Sequence, residues 1–265
     1  MTFLPTALET RISRIKAPAR DAIQDTAPVE ATVKAILADV AARGDAAVRD
    51  YSRQFAKSEL EVLEVPMAAR EAAVAALDPQ TRADTQFAID NVTAFARAQL
   101  ATILPLEVET LPGVHLGHRV IPIDRVGCYV PGGRYPLLSA PVMTIVPARV
   151  AGVKEVIACL PPNAHEAMIA GCHMSGADRI FRVGGAQAIA AMAFGTESIP
   201  KADKIVGPGN AFVNEAKRQV FGPVGIDQLA GPSEIYTLAD GTGNARMIAT
   251  DLLAQGKAGH ITTSG

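Results

Sequence analysis

The sequence predicts an α/β fold built on a parallel sheet, and the stretch from Val126 to Val220 supports this prediction most strongly. This stretch repeats one pattern four times: a short apolar run, a break that contains glycine or proline, and a helical pattern. Strands that alternate with helices at this spacing are typical of βαβ units in a parallel sheet. Most of the breaks contain glycine where a strand passes into its helix. Open α/β sheets bind their ligands at this edge.

Each of the four repeats can be assigned along the chain. The apolar runs that predict strands are Val126–Val130, Glu155–Leu160, Ile180–Val183 and Lys204–Val206. The helical patterns that follow them end at Val153, His173, Phe194 and Val220. We therefore expect four neighbouring strands, each followed by a helix that packs on the sheet.

The residues before the repeat predict a smaller region of mixed helices and strands. Residues 1–27 are largely polar and are expected to form a helical N-terminal arm. Asp78 and Pro79 suit the N-cap and the first position of the longest helix. The other predicted elements are helices at 29–42, 46–55 and 70–77, a strand at Leu60–Val65, and a hairpin formed by 107–111 and 115–123.

The residues after the repeat predict a loop, a strand and a helix. The loop contains the segment Ala230-Gly-Pro-Ser-Glu234, and the strand is expected at Ile235–Ala239. Apolar residues on one face predict the helix at Asn244–Gln255.

Composition excludes several classes of function. The chain has 265 residues, a net charge of −2 and charges of both signs along its length, so we expect no nucleic-acid partner. No apolar run reaches the length of a membrane span, and the N-terminus lacks the pattern of a signal peptide. The three cysteines have no CxxC spacing and suit a reducing compartment. These features predict a soluble cytoplasmic protein.

Three polar residues lie beside the glycine-containing breaks and are candidates for cofactor binding. Tyr129 ends the first strand, Gln187 opens a helix after Gly184-Gly185, and Asn210 follows Gly207-Pro208-Gly209. A helix N-terminus beside glycine suits a phosphate group. Asn210 would also serve as an ordinary N-cap, and Tyr129 as an ordinary strand aromatic. Gln187 has no comparable structural explanation.

The sequence gives weaker evidence for functional roles of Ser233 and the histidines. Ser233 lies in a Gly-Pro-Ser-Glu loop without the G-x-S-x-G pattern of a serine hydrolase, so we expect it to hydrogen-bond a small polar substrate. His115 and His118 would point to opposite faces of a strand, which argues against a shared metal. His165 and His173 are expected on a helix surface.

Several motifs in the same order resemble the histidinol dehydrogenase family. They are Val126-Gly-Cys-Tyr-Val-Pro-Gly-Gly133, Pro147-Ala-Arg-Val-Ala-Gly-Val153, Gly184-Gly-Ala-Gln-Ala-Ile-Ala190, Val206-Gly-Pro-Gly-Asn210, Ala230-Gly-Pro-Ser-Glu234 and Asp251-Leu-Leu-Ala-Gln255. The resemblance implies an NAD-dependent, zinc-dependent enzyme that oxidises L-histidinol to L-histidine through the aldehyde. A relative that oxidises another small alcohol, such as a sulfonated diol, and an inactive truncated relative that only binds nucleotide are the alternatives.

The resemblance also implies roles for individual residues and a domain division. Tyr129, Gln187 and Asn210 would contact NAD, Ser233 would contact the substrate, and Gln255 would bind both zinc and substrate. The family fold consists of two incomplete Rossmann-like lobes with parallel sheets, in a homodimer. The implied division is an arm at 1–27, a first lobe at 28–124 with 235–265, and a cofactor-binding lobe at 125–234.

The sequence departs from the family pattern at the implied zinc site. The family places a histidine three residues after the glutamine that corresponds to Gln255, whereas this chain has Ala258. His260 would point roughly 200° away from the expected direction on a continuing helix. The catalytic Glu–His pair of the family is expected beyond Gly265, so no catalytic residue is assigned within this chain.

Overall fold

The computed structural model describes residues 27–132, 136–229 and 237–257. The predicted arm at 1–27 lies outside these ranges except for its last residue. The helices are α1 (Ala27–Arg43), α2 (Asp45–Ala56), α3 (Met67–Ala75), α4 (Pro79–Leu100), α5 (Ser139–Val150), α6 (Glu166–Met174), α7 (Gly185–Phe194), α8 (Ala211–Val220) and α9 (Ala245–Lys257). The strands are β1 (Leu106–Leu111), β2 (Val114–His118), β3 (Arg125–Tyr129), β4 (Glu155–Leu160), β5 (Arg179–Arg182), β6 (Lys204–Val206) and β7 (Gly225–Ile226).

Strands β3 to β7 form one parallel sheet in the order β5-β4-β3-β6-β7, which confirms the predicted α/β class. The chain adds β4 and β5 on one side of β3 and then returns to place β6 on the other side. Strand order therefore reverses between β3 and β6, and ligands of open α/β sheets bind beyond the strand ends at such a switch point.

Alternate residues of the sheet face two separate cores, as the pleat of a β-strand requires. Tyr129, Ile157 and Phe181 contribute to a core shared with α1, α2, α7 and α8. Cys128 and Ala158 face the opposite core, which also contains residues of α3, α5 and α6. The apolar runs of the central strands are continuous because both faces of the sheet are covered.

The predicted helices before the sheet are confirmed, and they pack on both of its faces. Helices α1 and α2 contact α7, α1 also contacts α8, and on the other side α3 contacts α6 and α4 contacts α5. Asp78 caps α4 as predicted, because its Oδ1 accepts a hydrogen bond of 2.9 Å from the Thr81 N–H. Strands β1 and β2 form the predicted hairpin, although β2 ends at His118 rather than continuing to residue 123.

The strand predicted at Leu60–Val65 is wrong, because only Glu64 forms a β-bridge, to Phe181. The segment crosses the edge of β5 briefly: the Val65 N–H donates to Ile180 O at 2.8 Å, and the Arg182 N–H donates to Leu63 O at 2.8 Å. The rest of the segment is not paired with the sheet. Residues 237–239 of the strand predicted at Ile235–Ala239 are also not in a strand.

None of the helices in the described ranges is long and apolar enough to cross a membrane. The division into an arm and two lobes at residues 27, 124 and 234 stays a prediction. The packing of α1 and α2 on α7 does show that residues before 125 share a core with the parallel sheet.

Candidate functional site

A crevice of about 500 Å3 opens at the carboxyl ends of β3, β4 and β5, next to the switch point. Three polar residues singled out from the sequence, Tyr129, Gln187 and Asn210, line this crevice together. They come from three separate parts of the chain: the end of β3, the first turn of α7 and the residue before α8. The parallel topology brings them together because equivalent strand ends meet at one edge of the sheet.

Tyr129 ties the end of β3 to the start of α7. Its phenol oxygen accepts a hydrogen bond of 3.1 Å from the Gly185 N–H, and the residue is buried. Burial raises the pKa of the Tyr129 phenol, and the hydrogen bond from Gly185 opposes this rise. Burial therefore favours the neutral phenol. Its hydrogen bond holds the wall of the crevice in place, and part of the Tyr129 surface lines the crevice.

Gln187 is the most unusual polar group at this site. The residue is only 3% exposed, and its Oε1 has no hydrogen-bond partner among the described residues. A Cβ at Gly185 would lie 2.7 Å from Oε1, so a side chain there would displace this amide. Buried polar atoms normally have partners, so an unpaired amide oxygen beside a crevice indicates a ligand contact.

Asn210 serves as the N-cap of α8, and this confirms the capping interpretation. Its Oδ1 accepts a hydrogen bond of 3.1 Å from the Val213 N–H. The residue is exposed at the crevice, so the other half of its amide remains available to a ligand. The cap also leaves the start of α8 open, where unpaired N–H groups and the helix dipole favour an anion.

Gly207 makes the turn between β6 and α8 possible. It has a φ of 118°, and a Cβ at this position would lie 2.1 Å from the Tyr129 carbonyl oxygen. The turn therefore lies directly against the end of β3. Any side chain at this position would force β3 and β6 apart at the mouth of the crevice.

The wall of the crevice that faces the sheet edge was not predicted from the sequence. This wall includes Thr32 and Ile36 of α1, Phe55 of α2 and Phe212 of α8. Ile36 is also buried and belongs to the core that α1 shares with the sheet. Phe55 and Phe212 are 54% and 42% exposed. They lie on the amphipathic helices α2 and α8, and single exposed aromatic residues there gave no signal of a ligand surface in the sequence.

Of the implied substrate and zinc residues, only Gln255 belongs to the described part of the chain. Ser233 falls outside the described residues, and so does His260. Gln255 lies on α9, whose last residues have no described side chains. Within the described ranges, no three His, Cys, Asp or Glu residues are grouped in a way that could hold a metal ion. His165 is not on an open helix face but caps α6, since its Nδ1 accepts from the Ala167 N–H at 3.1 Å.

Comparison with known proteins decides the family. The histidinol dehydrogenase family model matches residues 19–264. The chain belongs to the histidinol dehydrogenase family. The crystal structure of histidinol dehydrogenase from Elizabethkingia anophelis superposes with a TM-score of 0.83 at 33% identity, covering 98% of this chain and 60% of that one.

Relatives within the histidinol dehydrogenase family carry different names. The chain is 46% identical over 233 residues to a histidinol dehydrogenase of Methanosarcina mazei, which covers 86% of this chain and 54% of the relative. It is 45% identical over 240 residues to a sulfopropanediol 3-dehydrogenase of Ruegeria pomeroyi, which covers 89% of this chain and 55% of the relative. It is 49% identical over 234 residues to a histidinol dehydrogenase homolog of Shouchella clausii, covering 87% and 55%. The chain thus spans about half the length of these relatives.

Proposed function

We propose that the crevice between α1, α7 and α8 binds NAD, and that the whole protein uses it to oxidise a small alcohol. The observation that carries this proposal is the unpaired Oε1 of Gln187, buried beside a crevice at the switch point of a parallel sheet. The family membership and the dehydrogenase relatives support the same chemistry.

The residues around the crevice fit a dinucleotide. Gln187 offers an amide that a ligand donor would complete, and Asn210 offers the amide nitrogen that its capping role leaves free. The starts of α7 and α8 favour the negative charge of a pyrophosphate. Tyr129 positions the turn before α7 through its bond from Gly185. NAD, when bound, supplies the hydride acceptor for alcohol oxidation.

We further propose L-histidinol as the substrate, oxidised to L-histidine through the aldehyde. Ser233 and Gln255 would contact it in a cytoplasmic homodimer. A sulfonated diol is the second candidate substrate, because a sulfopropanediol 3-dehydrogenase is about as similar to this chain as the histidinol dehydrogenases are. The two substrates differ in charge, since histidinol carries an amine and the diol a sulfonate.

We also propose that the protein binds zinc, as its family membership implies, with Gln255 as one ligand. The described residues do not form a zinc site by themselves, and the side chain of Ala258 has no atom that binds a metal. Ala258 therefore favours a second candidate function, a relative that binds the nucleotide without oxidising an alcohol. In both cases the crevice would take NAD.

Calorimetry and turnover assays on the full-length protein test these proposals. NAD should bind with one site per chain, and NADH should appear at 340 nm after addition of histidinol. Turnover with sulfopropanediol alone would select the second substrate. NAD binding with no turnover of either alcohol and no bound zinc by elemental analysis would select the nucleotide-binding relative. No NAD binding would contradict the proposal altogether.

A further inference from the structure

A buried cation lies directly behind the turn that forms one side of the crevice. Lys217 of α8 is 0% exposed, yet all three protons of its ammonium group have acceptors. Nζ donates to Gly207 O at 2.9 Å, to Gln228 O at 2.7 Å and to Asp227 Oδ1. A lysine in such a place must lose its hydration, so it is retained only where its partners compensate for that loss.

Asp227 completes the arrangement from the other side. Its Oδ2 accepts a hydrogen bond of 2.8 Å from the Gly207 N–H, while its Oδ1 accepts from Lys217. Both backbone groups of Gly207 are therefore held by one ion pair, the N–H by the carboxylate and the carbonyl by the ammonium. The same turn is also held at Gly209, whose carbonyl oxygen accepts a hydrogen bond of 3.2 Å from the Asn214 side-chain amide.

The hold on Gly207 affects the crevice because Gly207 begins the turn that leads to Asn210. Its turn lies against the end of β3, and it leads through Pro208 and Gly209 to Asn210, the cap of α8. Lys217 lies on α8 itself, two turns beyond that cap. The ion pair thus links the body of α8 to the turn before it, and it fixes the direction in which Asn210 and the helix start face the crevice.

We propose that Lys217 and Asp227 are positioning residues for the dinucleotide-binding turn Gly207–Asn210. The inference rests on the proposed binding of NAD, and neither residue contacts the dinucleotide in it. An apolar pair of similar volume would fill the same space without the desolvation of the Lys217 ammonium group, whereas the Asp227 side chain stays 31% exposed to solvent. What an apolar pair would not do is hold the N–H and the carbonyl of Gly207 in a defined geometry.

Arg70 is the matched control, because it is a buried cation that stabilises the fold away from the turn at Gly207. It is also a buried cation, 3% exposed, and it also donates to three acceptors: Val65 O at 2.8 Å, Asp178 O at 2.6 Å and Glu64 Oε1 at 3.1 Å. It lies on α3 beside β5, at the opposite edge of the sheet from β6 and β7. Loss of Arg70 should therefore destabilise the fold without affecting the turn at Gly207.

The test compares Lys217→Met with Arg70→Met in the full-length protein. Calorimetry measures the NAD dissociation constant, thermal unfolding measures stability, and hydrogen–deuterium exchange measures protection of peptides that cover 204–212. For Lys217→Met we expect NAD binding weaker by about tenfold or more, together with faster exchange at 207–210 and unchanged exchange in β4 and β5. For Arg70→Met we expect a comparable loss in melting temperature and an NAD affinity within about twofold of wild type.

Asp227→Asn gives a second variant in case Lys217→Met does not fold. Gly207 and Lys217 donate to different oxygens of the Asp227 carboxylate. In asparagine one of these oxygens becomes an NH2 group, which is itself a donor and would face one of the two donors without bonding to it. The turn should again exchange faster, and NAD should bind more weakly. Wild-type exchange at 207–210 in folded Lys217→Met or Asp227→Asn would overturn the inference. So would equal weakening of NAD binding in the Arg70 control. If the wild-type protein does not bind NAD, the proposed function fails, and the exchange data still decide whether the pair holds the turn.

Discussion

The phenol oxygen of Tyr129 accepts a 3.1 Å hydrogen bond from the backbone N–H of Gly185. This bond spans the intervening strand β4 and joins the end of β3 to the first residue of α7. One side chain thereby fixes two segments of the crevice against each other. A residue expected from sequence to touch the cofactor thus also has a structural role.

Tyr129→Phe should lower both the stability of the fold and the affinity for NAD. Removal of the hydroxyl leaves the Gly185 N–H without this partner, and such a loss is worth about 0.5–1.5 kcal/mol of unfolding free energy. Denaturant unfolding measures this loss, and an NAD titration measures the accompanying decrease in affinity. A variant as stable as wild type would show that water replaces the phenol at the Gly185 N–H.

Gln187→Met should separate stability from binding. The amide oxygen is buried without a partner in the described structure, so a side chain of similar size and no polar group should leave the free protein as stable or raise its unfolding free energy by about 1 kcal/mol. NAD affinity should fall by about tenfold, the value of one good hydrogen bond. Thermal unfolding without and with NAD measures both effects. A clear loss of stability without NAD would mean that the amide has a structural partner.

Asn210 can be tested with a pair of substitutions. Asn210→Ala removes the cap of α8 and should lower stability by about 1 kcal/mol, whereas Asn210→Asp keeps an oxygen for the Val213 N–H. Asn210→Asp should therefore retain stability but weaken NAD binding, because it replaces the free amide nitrogen with negative charge near the pyrophosphate. Asp78→Ala is the control, since it removes the cap of α4, which does not line the crevice. It should lower stability alone.

Gly207→Ala should be far more harmful than Gly113→Ala. Both glycines have positive φ, and a Cβ at Gly113 has nothing within 4 Å, whereas a Cβ at Gly207 would lie 2.1 Å from the Tyr129 carbonyl. The hairpin variant should lose about 1 kcal/mol from backbone strain alone. The Gly207 variant should lose more than about 3 kcal/mol, because strain and steric overlap add. Equal losses in urea unfolding would show that β3 and β6 can move apart without penalty.

The cysteines should be unreactive in the folded protein. Burial raises the pKa of the Cys128 thiol to about 12, and it also raises the pKa values of Cys159 and Cys172. All three thiols should therefore stay protonated at pH 8, and a thiol reagent should label none of them until the protein unfolds. Because the folded pKa values lie above the unfolded value near 8.5, the unfolded state loses protons first. Stability should thus decrease as the pH rises above about 9. Rapid labelling at pH 8 would contradict the buried positions.

Local patterns predicted most of the elements that form the crevice. The strand–glycine–helix order, the cap at Asp78 and the positions of Tyr129, Gln187 and Asn210 at strand ends or helix starts all follow from short stretches of sequence. The grouping of these three residues depends on the parallel order of the strands. The segment Leu60–Val65 shows that a local pattern does not always predict a strand correctly. Its alternating apolar residues look like a strand, but whether they pair depends on how far the segment follows β5, and it follows for one bridge only.

The surroundings of Lys217 also depend on residues outside its own helix. Helical spacing puts Lys217 on the same face of α8 as Val213, Ala216 and Val220, whereas the neighbouring Arg218 is exposed. The local sequence does not show which acceptors its ammonium group finds on that face. Lys217 is buried because Asp227 and Gln228 return beside Gly207 through β7, which brings acceptors to its ammonium group. The wall formed by α1 and α2 has the same origin, since it depends on contacts with α7 far along the chain.

By itself, the sequence determined the α/β class, the glycine turns and the polar residues at the strand ends, because each depends on the chemistry of a few consecutive residues. Only the tertiary structure decided which helices close the crevice, which amide is left without a partner and which cation holds the turn. Those properties depend on contacts between segments distant in the chain, where burial removes water and leaves each polar group to whatever partner the fold supplies.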